Sequence, residues 1–347
     1  MEFSSTEMTL KTGKEIVKYT LENDQGMKVE VLNLGATLTK VMVPDQNGNF
    51  ENVVLEWQDV NVYEQNPGYI GAVVGRVAGR ISQAKITLDE KVYPLTKNEN
   101  SNILHGGIEG FHSKLWQGED ISTQEEARLK LSYYSKDKEE GFPGNMQVTV
   151  IYSLNNDNEL TIRYEATTDK LTVVNLTNHA YFNLSGDGKR SILDQEVFID
   201  SDKILELDKE SIPTGKNLLV DEEKAFDFRQ SKPLGRDISA DSLQLKYGKG
   251  YDHLWVLNQS DQAAIALYDP ISKRCMEITT DQPCVVMYTM NNPPSERLNI
   301  ANQEIRYGVC FETQKRAIGY NEVFKEDTLL RPNEVYTAQT KYRFTTR

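Results

Sequence analysis

No stretch of the 347 residues approaches the roughly 18 consecutive apolar residues of a membrane-spanning helix, so nothing in the sequence predicts an integral membrane protein. Cysteine is scarce: Cys275, Cys284 and Cys310 are odd in number, widely spaced and confined to the last quarter. That pattern argues against a disulfide framework and against a CxxC metal site, and predicts reduced, structural thiols. Positive charge is also short, with 39 Lys and Arg against 52 Asp and Glu and a net charge of −13. Such a balance repels phosphate backbones and anionic lipid surfaces, so neither nucleic acid nor membrane is expected as a partner, and a neutral small molecule is. The opening MEFSSTEMTL lacks a basic end followed by an apolar run, so no signal peptide is expected and the cytoplasm is the default compartment. Several catalytic signatures are missing too. There is no HxH or HExxH spacing for a metal, no GxSxG elbow for a serine triad, and no Gly-rich phosphate loop opening a helix. No metal site is expected.

Long helical periodicity is absent as well; only Val220 to Arg229 has the pattern for a turn or two of helix. Strand signals are present from end to end. Met146, Val148, Val150, Tyr152 and Leu154 alternate with polar neighbours, the turn Asn155-Asn156-Asp157-Asn158 follows, and the alternation resumes at Leu160, Ile162, Tyr164 and Ala166. This predicts a hairpin. Short runs at 29–32, 39–43, 284–288 and 335–338 are bounded by Gly, Asn, Asp and Pro. The chain therefore reads as all-β, a large antiparallel sandwich or barrel, with no linker or repeat to divide residues 1–347 into more than one domain.

The histidines are only four, and three have unusual settings: His105 before two glycines, His179 inside NLTNHAYFNLSG, and His253 after Gly250-Tyr251-Asp252. Read with period 2, residues 175–186 form one strand, with Leu176, Ala180, Phe182 and Leu184 on an apolar face that Asn178 interrupts. Asn175, Thr177, His179, Tyr181 and Asn183 share the other face, which either meets water or lines a site. In Tyr307 to Gln314 the same rule sets Glu312 with Gly308, Cys310 and Gln314, opposite Tyr307, Val309 and Phe311. A carboxylate among small neighbours in a concave sheet is a natural general base, because partial burial lifts its pKa from about 4.3 toward neutrality. Arg76 and Arg80 lie in a glycine-bearing loop, where a planar fork of donors holds either a carboxylate or sugar hydroxyls; Arg76 equally suits a structural ion pair.

These motifs, in this order, resemble the aldose 1-epimerase (galactose mutarotase) family. The resemblance is carried by Asn178 to Leu184, Leu104-His105-Gly106-Gly107, Gly141-Phe142-Pro143-Gly144, Tyr251-Asp252-His253, Gln282-Pro283 with Tyr288-Thr289, and Phe311-Glu312-Thr313-Gln314. Ala78-Gly79-Arg80-Ile81 and the closing Leu330 to Glu334 extend it over roughly residues 30 to 345. It implies a large β-sandwich of the galactose mutarotase-like supersandwich type. The implied activity is interconversion of the α and β anomers of free hexoses, without a cofactor.

By that resemblance His179 is the general acid and Glu312 the general base, while Arg80, His105, Asp252 and Gln282 bind sugar. Tyr181 and Asn183 become pocket-side supports. Ordinary values near 6.5 for histidine and 4.3 for glutamate suit these roles at slightly acid pH, with a modest upward histidine shift needed at pH 7, and predict a bell-shaped pH profile. Gly79, Cys284, Asn291 to Pro294 and Lys315 to Tyr320 depart from the family pattern at the pocket rim, which leaves the preferred sugar open among galactose, glucose and maltose. Three other readings stand beside this one: a sugar-binding module without turnover, a glycoside hydrolase using Glu312 with Asp252, and an epimerase acting on a hexose phosphate.

Overall fold

The structure, a computed structural model, describes residues 1–258 and 262–347. Three large sheets carry the fold, and every ladder between their strands is antiparallel. The first is a five-stranded meander from Glu2–Thr9 to Phe50–Asn52. The second has nine strands, with the predicted hairpin, Met146–Asn155 and Glu159–Thr168, near its centre beside the long C-terminal strand Tyr336–Thr346. The third has six, in the order Tyr181–Phe182, Val309–Gln314, Cys284–Tyr288, Asp252–Val256, Lys203–Leu207, Pro213–Leu219.

Alternation decides what each sheet buries. Val148, Val150 and Tyr152 of the nine-stranded sheet join Val29, Val31 and Leu38 of the meander in one apolar core. Val285, Met287, Val309 and Phe311 of the six-stranded sheet reach the same core. Phe182 packs its ring 5.3 Å from Tyr342, a contact between the six- and nine-stranded sheets. Residues of opposite parity in the six-stranded sheet, Val286, Tyr288, Cys310, Glu312 and Gln314, are left for its other face.

Helix is nearly absent among the described residues. The segment Val220 to Arg229 forms a single 3-10 turn, Lys224–Phe226, within the turn or two that its pattern suggested. One short α-helix, Leu243–Gly248, begins where the Ser242 hydroxyl accepts a hydrogen bond from the Gln244 N–H.

The stretch 175–186 corrects the single-strand reading. It forms two separate two-residue pairings, Thr177–Asn178 with Val73–Val74 and Tyr181–Phe182 with Val309–Cys310, with His179 at the break between them. Asparagine side chains take over where the ladder stops. The Asn178 carboxamide accepts from the Ala180 N–H and donates to Gly71 O, and Asn183 donates to the carbonyls of Arg190 and Tyr307. All of residues 175–186 are buried, so neither face meets water.

Candidate active site

Glu312 and His179 come together at the edge of the six-stranded sheet. Glu312 lies in the strand Val309–Gln314, directly opposite Val286, and is 3% exposed. His179 is held by its backbone: its N–H donates to Ala72 O at 2.9 Å and its carbonyl accepts from the Gly71 N–H at 3.0 Å. The imidazole Nε2 then stands 3.5 Å from Glu312 Oε1, and Nδ1 lies 3.5 Å from the Cys310 thiol. Tyr181, Tyr69 and Tyr288 surround the ring with centroids 5.0, 5.9 and 6.3 Å away.

His105 faces His179 edge to face at 5.2 Å. Its N–H donates to Gly79 O and its Nδ1 accepts from the Gly79 N–H at 3.2 Å, which leaves the proton of the neutral ring on Nε2. The loop reaches this position only because Gly106 has φ +86° and no side chain; a Cβ there would meet Gly75 O at 1.8 Å. Arg80 completes the wall. Its Nε and Nη2 donate to the two carboxylate oxygens of Glu99 at 2.5 and 2.9 Å, and its Nη1 lies 4.0 Å from Asp252 Oδ2. Asp252 opens the strand Asp252–Val256 and pairs with Tyr288.

These groups line a pocket of about 220 Å³. A concave site with several polar groups converging on it suits a small polar ligand. Its floor grades from polar to apolar along the sheet, because Glu312, Val286 and Leu254 follow one another across three strands.

Burial sets the electrostatics. Desolvation, with Asp252 adding to it and Arg80 opposing it, pushes the Glu312 carboxyl up to about 8. Desolvation pushes the His179 imidazole down to about 4, against a hydrogen bond in its own backbone setting that favours the charge. His105 is held well below its ordinary value by burial and by the neighbouring His179 and Arg80. The expected upward histidine shift is therefore corrected: a ring enclosed by tyrosines and a second imidazole loses the water that would stabilise its charge.

Of the residues singled out from sequence, His179, Glu312, Arg80, His105 and Asp252 all reach the pocket, as do Tyr181 and His253. Gln282 does not. It stands two residues before the strand Cys284–Tyr288, with its amide donating to Asp281 at 2.6 Å; register, counted from the Glu312–Val286 pair, places Val286 on the pocket floor instead. Asn183 is likewise turned to structural carbonyls, and Arg76 is a buried tie to Ser135, Lys136 and Pro143. Sequence reasoning missed Glu99 and Tyr69 as lining residues. Gln314 was legible, being two residues beyond Glu312 on the same strand face.

His105, His179 and Glu312 bring one ligand-type atom each to within 4.8 Å of one another. Two imidazoles and a carboxylate are donor types that suit a transition metal, a grouping that sequence spacing had argued against. The same three groups suit proton transfer, with a base, an acid and a hydrogen-bond donor converging on one small volume.

Comparison with known proteins identifies the family. Residues 17–343 match the family model described as aldose 1-epimerase. The chain is 37% identical over 333 residues to galactose mutarotase of Bos taurus, covering 95% of this chain and 94% of that protein. It is 32% identical over 334 residues to aldose 1-epimerase of Escherichia coli (strain K12), covering 94% of each. The crystal structure of galactose 1-epimerase from Lactobacillus acidophilus NCFM superposes with a TM-score of 0.90 at 30% identity, covering 100% of this chain and 99% of that one. The chain belongs to the aldose 1-epimerase family.

Proposed function

We propose that this protein interconverts the α and β anomers of free hexoses by opening and reclosing the sugar ring, with His179 and Glu312 as the proton-transfer pair. One observation carries the assignment: the 3.5 Å separation of Nε2 of the buried His179 and Oε1 of the buried Glu312 in the wall of the pocket. Glu312 takes the proton of the C1 hydroxyl while His179 protonates the ring oxygen, which opens the hemiacetal to the aldehyde. Rotation about C1–C2 presents the other carbonyl face, and reversed transfers close the opposite anomer. Each transfer contributes about 10²–10⁴-fold.

Burial sets how the pair is charged. Between about pH 4 and about pH 8 the two groups hold one proton, resting on Glu312 while the pocket is empty. The imidazolium–carboxylate form needs no further proton; it is reached when that proton crosses from Oε1 to Nε2. Arg80, His105 and Asp252 supply donors and acceptors for the hydroxyls. We further propose that residues 1–347 act as one domain, since a single apolar core joins the three sheets, and that the enzyme works in the cytoplasm. No helix among the described residues is long and apolar enough to cross a membrane.

Polarimetry of freshly dissolved α-galactose, α-glucose and maltose tests the activity. Acceleration by wild type, lost in Glu312→Gln and His179→Ala, is the expected result. No acceleration of any free sugar overturns the reading, and unchanged rates in both variants overturn the residue roles.

A further inference from the structure

We infer that Glu99 sets the charge selectivity of this pocket, closing it to anionic aldoses such as uronates and sugar phosphates while leaving it open to uncharged ones. This rests on the function proposed above. Arg80 is the only Lys or Arg among the lining residues, and it is already engaged. Anions are held best by two parallel N–H groups of a guanidinium. The Nε and Nη2 edge of Arg80 is taken by both oxygens of Glu99, at 2.5 and 2.9 Å, and Nη1 faces Asp252 Oδ2 at 4.0 Å. What remains of the guanidinium suits a hydroxyl rather than a carboxylate or phosphate.

The rest of the lining supports the same selectivity. Glu99 and Asp252 place two carboxyl groups around one cation, while Glu312 and His179, sharing one proton, add no net charge. Glu210 stands beside the lining residue Ser211 and accepts a hydrogen bond from Asn102 at 3.0 Å. The remaining wall mixes the apolar Leu207, Pro213, Leu254, Val286 and Ala317 with neutral donors such as Tyr69, Ser211 and Asn292, and adds no second cation. Lys249 is not among the lining residues, and its ammonium is engaged by the side-chain Oδ1 of Asn292 at 3.3 Å. An anionic sugar therefore meets uncompensated negative charge in a low-dielectric site, which is how a binding site rejects a competitor it has room for. Glu99 is the member of this set with 29% of its side chain exposed, at the rim rather than at the reacting centre.

Galactose and galacturonate make the comparison, since they differ only at C6, where a carboxylate replaces the hydroxymethyl group. Mutarotation above the spontaneous rate is measured for both, and for the uncharged methyl ester of galacturonate, with wild type and Glu99→Gln. Wild type is expected to prefer galactose over galacturonate by at least about tenfold in kcat/KM and to accept the ester. Glu99→Gln should narrow that ratio by about tenfold through a gain on the uronate. Equal rates on galactose and galacturonate in wild type overturn the inference, as does an unchanged ratio in Glu99→Gln. Rejection of the ester as strong as that of the free acid also overturns it, because size then decides. Absence of acceleration on every sugar is the failure of the proposed function instead. In that case ligand-observed NMR binding of galactose and galacturonate decides the present point: preference for galactose supports it and equal binding overturns it.

Discussion

His179 Nε2 stands 3.5 Å from Glu312 Oε1, and both side chains are almost sealed from solvent. At this distance the protonation of one group bears on that of the other. Burial drives their pKa values apart in opposite directions, the carboxyl upward and the imidazole downward. This widens the range over which the pair holds a single proton.

The pH dependence of kcat/KM follows. Activity needs one proton on the pair, so the rate falls on the acid side near pH 4, where His179 gains a second, and on the alkaline side near pH 8, where Glu312 loses the only one. Polarimetric kcat/KM between pH 3.5 and 9 should show a broad plateau. A narrow bell with limbs near the ordinary values of about 4.3 and 6.5 would return the pair to solvent-like behaviour.

Glu312→Gln should lose activity and gain stability. The folded-state pKa of Glu312 is raised from 4.5 to about 8, so its contribution to stability is fully present below pH 4.5 and is lost as pH rises toward 8. Each unit is worth about 1.4 kcal/mol. The variant's Tm advantage over wild type should therefore be larger at pH 8 than at pH 5. An advantage that shrinks as pH rises would reverse the sign of this assignment.

Arg76→Met should damage the fold rather than the chemistry. The guanidinium donates to Ser135 Oγ and to the carbonyls of Ser135, Lys136 and Pro143, all inside the protein. Removing it strands several buried acceptors at about 1–3 kcal/mol each, so the midpoint of urea unfolding should drop by the equivalent of about 3 kcal/mol or more. A shift below about 1 kcal/mol would show that water replaces the guanidinium.

Gln282→Ala should leave KM for galactose within about twofold of wild type, since its side chain serves Asp281 rather than the pocket. Val286→Gln, at the floor position opposite Glu312, should change KM instead. Steady-state kinetics of the two variants, side by side, distinguish register from motif.

Periodicity and turn chemistry read the hairpin at 146–168 correctly, because each strand has one core face and one polar face. They failed at 175–186, where no face is wet and asparagine side chains replace ladder bonds, a substitution that leaves the period-2 pattern intact. Glu312 was legible as one member of an alternating face, but its burial was not, since that depends on loops far away in sequence. Glu99 lay in the polar run Lys97 to Asn100, which looks solvated until Arg80, 19 residues earlier, reaches it. Gln282 lies outside the pocket lining, a placement that motif order does not report.

The rung that pairs Tyr181 with Cys310 has a consequence for how such enzymes diversify. The proposed acid is two residues before Tyr181 and the proposed base two residues after Cys310, so this pairing, together with the bonds from Gly71 and Ala72 to the His179 backbone, sets the distance between them. Arg80, Glu99, His105 and Asp252 arrive on other segments. The proton-transfer core is thus a portable cassette, and new sugar preferences can be written into the surrounding loops without resetting it.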